Sequence, residues 1–139
     1  MRRRRGKTLP NGRNEMRQFV MLEHWVLKTE AFRSLSVGAR SLILELLLRF
    51  NGVNNGRIGL GEREAAIALN RSRPAVRGYF RELQQLGFIV CARAGGFNMK
   101  VPTDRRASEW RLTWLPTETC PATKEFVSWR PDIEAQSAG

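Results

Sequence analysis

Residues 62–89 constrain this chain more than any other stretch. Glu62–Leu69 reads as a short helix with acids in its first turn, where the helix dipole favours them. Ala65, Ala66 and Leu69 give it a small and apolar side that lets another helix approach closely. Asn70 and Arg71 break the pattern. Ser72 is then an N-cap whose hydroxyl can accept from an orphan amide one turn ahead. Pro74 falls in the first turn, where its missing amide proton costs little. Val76, Phe80, Leu83 and Leu86 recur at helical spacing, with Tyr79 on the flank of that face, and Gly87 stops the run. The pattern predicts a helix over 73–86 that follows the first after a turn of three or four residues.

The flanks fit a small mixed domain. Ser36 is another good N-cap, and Ala39, Leu42, Ile43, Leu46, Leu47 and Phe50 follow at i, i+3, i+4, i+7 spacing. That predicts a first core helix over 37–50, ended by Asn51-Gly52. Ahead of it, Ala31–Leu35 looks like a short helical turn, and Phe19–Leu27 like a strand or an extended segment docked on the core. Asn54-Asn55-Gly56 reads as a turn and Arg57–Leu60 as a short strand. Downstream, Phe88–Cys91 is β-prone, and Ala94-Gly95-Gly96 is a turn that tolerates positive φ. Phe97, Met99 and Val101 alternate with Asn98 and Lys100 as in a half-buried strand. Pro102–Ala107 reads as a polar loop, and Trp110, Leu112 and Trp114 alternate along a further strand. The expected organisation is a disordered basic arm over 1–15, a domain over 16–114, and a tail over 115–139. That tail is expected to pack Phe126 and Trp129 on the domain before it frays. There is no internal repeat.

Charge narrows the choice of partner. The 139 residues carry 24 Lys+Arg against 13 Asp+Glu, a formal net charge of +11. The surplus is local: net +5 in residues 1–15 and net +6 in residues 71–111, whereas 112–139 is net −2. Such a surplus favours polyanions as partners. The 42% hydrophobic and 27% charged composition is ordinary for a globular chain.

Several classes fit badly. The longest apolar stretch, Leu42–Leu48, is interrupted by Glu45, and a membrane-spanning helix needs about 20 residues. No apolar signal core follows Arg2–Arg5, so a cytoplasmic, nucleoid-associated location is expected. Cys91 and Cys120 form no CxxC and are expected to be reduced thiols. His24 is the lone histidine, flanked by Glu23 and Trp25, and is expected to be structural. With Cys91 and Cys120 it makes no metal-ligand spacing. No phosphate-cradling glycine motif exists, since Gly52, Gly56, Gly59 and Gly61 lack the lysine and the helix required. No enzymatic activity, cofactor, metal or small-molecule ligand is expected.

The residues with the most specific pattern are Ala66 with Leu69 three positions later, the turn, the Ser72 cap, and the run Glu82-Leu83-Gln84-Gln85-Leu86-Gly87-Phe88-Ile89. In that order, and with the succession of elements over Ser36–Trp114, they resemble a winged helix-turn-helix domain. That family usually has Gly in the turn, where Asn70 stands here, a residue that also tolerates left-handed geometry. Many relatives carry Thr where this chain has Pro74 or Ala75, so one phosphate-bonding hydroxyl is missing. Ser108–Thr113 and Pro121–Phe126 are similar to small helix-turn-helix proteins of alphaproteobacterial chromosomes and mobile elements. The resemblance implies an α+β fold with a three-helix core and a β-hairpin wing. It also implies sequence-specific binding of double-stranded DNA, as a transcriptional regulator and often as a homodimer on a two-fold site. The same domain type serves plasmid and mobile-element replication or recombination factors, and also serves as a protein–protein module.

The residues support that expectation independently. Arg73, Arg77 and Arg81 are spaced i, i+4, i+8 and form one stripe on the helix. The stripe lies roughly 60–140° around from Val76, so it flanks the apolar face and points outward. A helix fits the major groove, where Arg can bond guanine O6 and N7 or hold phosphates. Arg73 and Arg77, nearer the N-terminus, are assigned to base edges, and Arg71, Ser72 and Arg81 to phosphates. The wing residues Arg93, Lys100, Arg105 and Arg106 are expected along a backbone or minor groove. Arg2, Arg3, Arg4 and Arg5 of the arm complete the candidate set, although composition does not separate phosphate grip from solubility. A solvated helix face, an acidic protein partner, and an RNA partner stacked on the tryptophans are the competing readings.

Overall fold

The computed structural model describes residues 17–98 and 101–131, with the backbone alone for 96–98 and 101–106. The fold is mixed α+β. Among the described residues five helices come in the order α1 (His24–Leu27), α2 (Glu30–Ser34), α3 (Val37–Arg49), α4 (Glu62–Leu69) and α5 (Arg73–Gln85). Five strands are interleaved or follow: β1 (Ile58–Gly59), β2 (Ile89–Arg93), β3 (Gly96–Asn98), β4 (Val101–Arg106) and β5 (Glu109–Leu112). A short 3₁₀ turn covers Glu125–Ser128.

α2, α3 and α5 start where short polar side chains satisfy their first amides. Ser36 Oγ accepts from Ala39 N at 3.2 Å, Ser72 Oγ accepts from Ala75 N at 3.3 Å, and Thr29 Oγ1 accepts from Phe32 N at 3.2 Å. Between α4 and α5 only Asn70, Arg71 and Ser72 intervene. Asn70 adopts left-handed geometry (φ 53, ψ 50), and Arg71 N returns to Ala66 O at 3.0 Å, which closes α4.

β5 is the centre of a three-stranded antiparallel sheet in the order β1-β5-β2. Ile58 faces Trp110 across one ladder, while Cys91 and Ile89 face Trp110 and Leu112 across the other. β3 and β4 form a separate antiparallel hairpin, with Gly96 opposite Arg106.

One core joins the helices to the three-stranded sheet. Ala39, Leu42, Ile43, Leu46 and Leu47 of α3 meet Val76, Phe80 and Leu83 of α5 and Trp110 and Leu112 of β5. The aromatic part is layered. Phe80 stacks on Trp110 at 4.8 Å between centroids, and Phe88 stacks on Phe126 at 4.5 Å, with Trp114 edge-on to both Phe88 and Phe126. Phe126 is fully buried, so the segment after β5 is part of the same core. Gly87 (φ +89) makes that packing possible, because a Cβ there would sit 2.8 Å from Phe126 N.

Two expectations about elements are corrected. His24–Leu27 is a helical turn and not extended, because Val26 is drawn wholly into the core and overrides the local β preference. Residues 102–106, expected as part of a polar loop, are strand instead, and Val101 opens that strand rather than closing one begun at Phe97. They are held by backbone pairing to β3, which needs no alternating apolar face to announce it. The basic arm over 1–15 and residues 132–139 of the tail lie outside the described residues.

Candidate nucleic-acid interface

α5 separates its two faces cleanly. Val76, Phe80 and Leu83 are buried, and Arg73, Arg77 and Arg81 are exposed. The buried residues are aromatic or branched and fill the space against α3 and β5. The arginines flank that stripe by roughly a sixth to two-fifths of a turn, so core burial of one face forces display of the other. Arg71 and Ser72, in the turn before α5, are also exposed.

The three arginines are not equivalent. Arg77 Nε donates to Glu62 Oε1 at 3.2 Å and Oε2 at 3.1 Å. Both side chains are accessible, with 53% of Arg77 and 34% of Glu62 exposed. The hydrogen bond and charge of Glu62 push the Arg77 pKa above its ordinary value, so its charge is secure. Among the described residues no carboxylate pairs with Arg73 or Arg81. Ser72 is engaged as a cap, with its oxygen accepting from Ala75 N, which leaves the hydroxyl hydrogen to donate.

Arg93 is exposed at the end of β2, in register opposite Glu109 of β5. Arg105 and Arg106 lie on β4, opposite Phe97 and Gly96. Lys100, Arg2, Arg3, Arg4 and Arg5 lie outside the described residues. Arg111, in the same basic block, holds the tail instead, donating to Thr123 at 2.8 Å and pairing with Glu125 at 3.8 Å.

A shallow concavity of about 260 Å³ lies beside the stripe, bordered by Glu62, Arg77, Arg81, Gln84, Ser108 and Trp110. A larger one, about 790 Å³, lies between Gln18–Met21 and the end of α3. None of the nominated basic residues borders it. No group of three or more metal-ligating side chains occurs among the described residues. Cys91 and Cys120 are free thiols. No helix among those residues is long and apolar enough to cross a membrane. His24 is exposed at the start of α1, so the expectation of a structural histidine is corrected: the residue that enters the core there is Val26. Trp110 and Trp114 are buried and Trp25 stacks on Phe126 at 5.7 Å, so these three rings are occupied within the fold.

Sequence reasoning missed the role of Glu82. Its carboxylate accepts from Ser36 N at 2.6 Å and from Ser36 Oγ at 2.7 Å, tying α5 to the N-terminus of α3. The sequence pattern identifies Glu82 only as part of the Glu82–Ile89 run. It also missed Asn55, a buried side chain in an apparent turn. Asn55 Oδ1 accepts from Leu112 N at 2.7 Å, and Nδ2 donates to the carbonyls of Leu112 and Leu115 at 3.0 Å, which fixes the end of β5.

Comparison with protein families, with curated proteins and with solved structures finds no match for this chain.

Proposed function

We propose that this chain is a winged helix-turn-helix protein that binds double-stranded DNA sequence-specifically. In this reading α5 enters the major groove, the β3–β4 hairpin is the wing, and the protein regulates transcription as a homodimer on a two-fold operator. The observation that carries the reading is the division of α5. Its apolar stripe is fixed in the core while Arg73, Arg77 and Arg81 stay exposed along one side. The three-residue turn to α4 and the net +6 of residues 71–111 support it. Arg73 and Arg77 act on bases, Arg71, Ser72 and Arg81 on phosphates, and Arg93, Lys100, Arg105 and Arg106 on the flanking backbone.

Selection of bound sequences from a random duplex library tests this. An enriched palindrome is the expected result, and absence of enrichment overturns the reading in favour of an acidic protein partner. Affinity for the selected duplex should fall steeply with salt, log K dropping by about 0.9 per log unit of salt for each phosphate neutralised.

A further inference from the structure

We propose that Glu62 is a positioning residue that fixes Arg77 as a reader of guanine, so that it sets base preference without touching a base. This rests on α5 being the element that enters DNA.

The geometry singles out one arginine of three. Glu62 takes the inner N–H of the Arg77 guanidinium with both carboxylate oxygens, at 3.2 and 3.1 Å. The two outer nitrogens donate to no described residue, and Arg77 is half exposed. Those outer nitrogens form the planar fork that matches O6 and N7 of guanine. An unrestrained arginine loses much rotamer freedom when it makes such a contact, and one already held by its inner nitrogen loses less. Glu62 is suited to the holding role. It is the first residue of α4, so its backbone is fixed. Arg81 has no such holder among the described residues and suits the less directional task of meeting phosphates, and Arg73, which also has none, reaches its base without that restraint.

A carboxylate at a DNA-facing surface has a cost. It repels phosphates and cancels part of the local positive charge, so it weakens binding to any duplex. Glu62→Gln should therefore have two effects of opposite sign. Affinity for random duplex should stay equal or rise, with a steeper salt dependence, because one negative charge is gone. Discrimination at one G·C pair of the selected site should fall by roughly fivefold to tenfold, part of what a bidentate contact contributes. A residue that only supported the fold would weaken both kinds of binding together.

The test uses the full chain. Sites are first selected with the unsubstituted protein. Competition between the selected duplex and single-pair variants is then measured for Glu62→Gln, Arg77→Lys and the double variant, with thermal melting as the fold control. Arg77→Lys keeps the charge and loses the fork. It should lose preference at the same pair, and adding Glu62→Gln should then cost no further discrimination. Unchanged discrimination in Glu62→Gln at every position overturns the inference and leaves the DNA-binding reading intact. So does a loss centred on a C·G pair that persists in the Arg77→Lys background, since Glu62 would then be accepting from cytosine directly. Equal weakening on random and selected duplex overturns it as well. Failure of the unsubstituted protein to enrich any duplex removes the underlying reading itself.

Discussion

α3 and α5 are built alike and used differently. Each has 13 residues, begins at a serine cap bonded to an alanine amide three positions on, and buries a stripe of apolar side chains against the other. They diverge on the faces turned away from the core. α3 leaves Val37, Leu44 and Leu48 exposed, whereas α5 exposes Arg73, Arg77 and Arg81. Helix formation and docking depend on the shared grammar of cap and stripe. What a helix can recognise depends on the residues that grammar leaves free. α5 is therefore the better candidate for contact with a polyanion, although both helices are anchored in the core.

The largest test of this division lies in the core. Leu46→Ala on α3 should cost about 2–5 kcal/mol of stability, and Leu83→Ala on α5 a similar amount, read from urea denaturation midpoints. Leu48→Ala, exposed on the same helix as Leu46, should stay within about 0.5 kcal/mol. A comparable loss at Leu46 and Leu48 would mean that α3 is not bedded as described. The next effect belongs to α5 alone. Replacing Arg73 and Arg77 together by alanine should leave the denaturation midpoint nearly unchanged while each lost base contact removes about 1–3 kcal/mol of discrimination. Operator binding that survives this double change would refute the assignment of the outward face. A smaller effect sits where the two helices are tied. Glu82→Ala removes both acceptors from Ser36 and should cost about 1–2 kcal/mol, reduced by exposure of the site. Hydrogen exchange in the first turn of α3 should then speed up more than in the first turn of α5. Uniform acceleration would show that the tie is not local.

Much of this architecture was legible beforehand because it rests on local signals. Both long helices, their serine caps, the turn at Asn70 and the displayed arginine stripe follow from periodicity and capping chemistry, which need no tertiary information. The parts that were not legible depend on distant partners. Asn55 looks like a turn residue until Leu112, 57 positions later, fills its hydrogen-bonding groups. Glu82 looks like a solvent-facing helix residue until Ser36, 46 positions earlier, is brought to its carboxylate. β4 carries few apolar residues, so its pairing with β3 left no alternating pattern to detect. The Glu62–Arg77 contact spans 15 positions and two helices, and only the tight turn between them brings it about.

The finest distinction between the two helices lies in their glycines. Gly38 on α3 fits against a neighbour: the Tyr79 ring lies 2.0 Å from where a Cβ would be. Gly78 on α5 has nothing within 4 Å of that position among the described residues and is exposed between Arg77 and Tyr79 in the sequence. Nothing inside the fold therefore requires glycine at 78, and its backbone freedom works against the helix. Gly78→Ala should stabilise the protein by about 0.5–1 kcal/mol, seen as a rise in melting temperature of a few degrees. The same variant asks how closely α5 approaches its partner. If the α5 backbone lies against a groove wall, the added methyl group should weaken duplex binding even as the fold becomes more stable. Two properties moving in opposite directions from one methyl group would place the partner's surface at residue 78. A stability gain with unchanged binding would instead confine contact to the long arginine side chains and leave the helix backbone clear of the DNA.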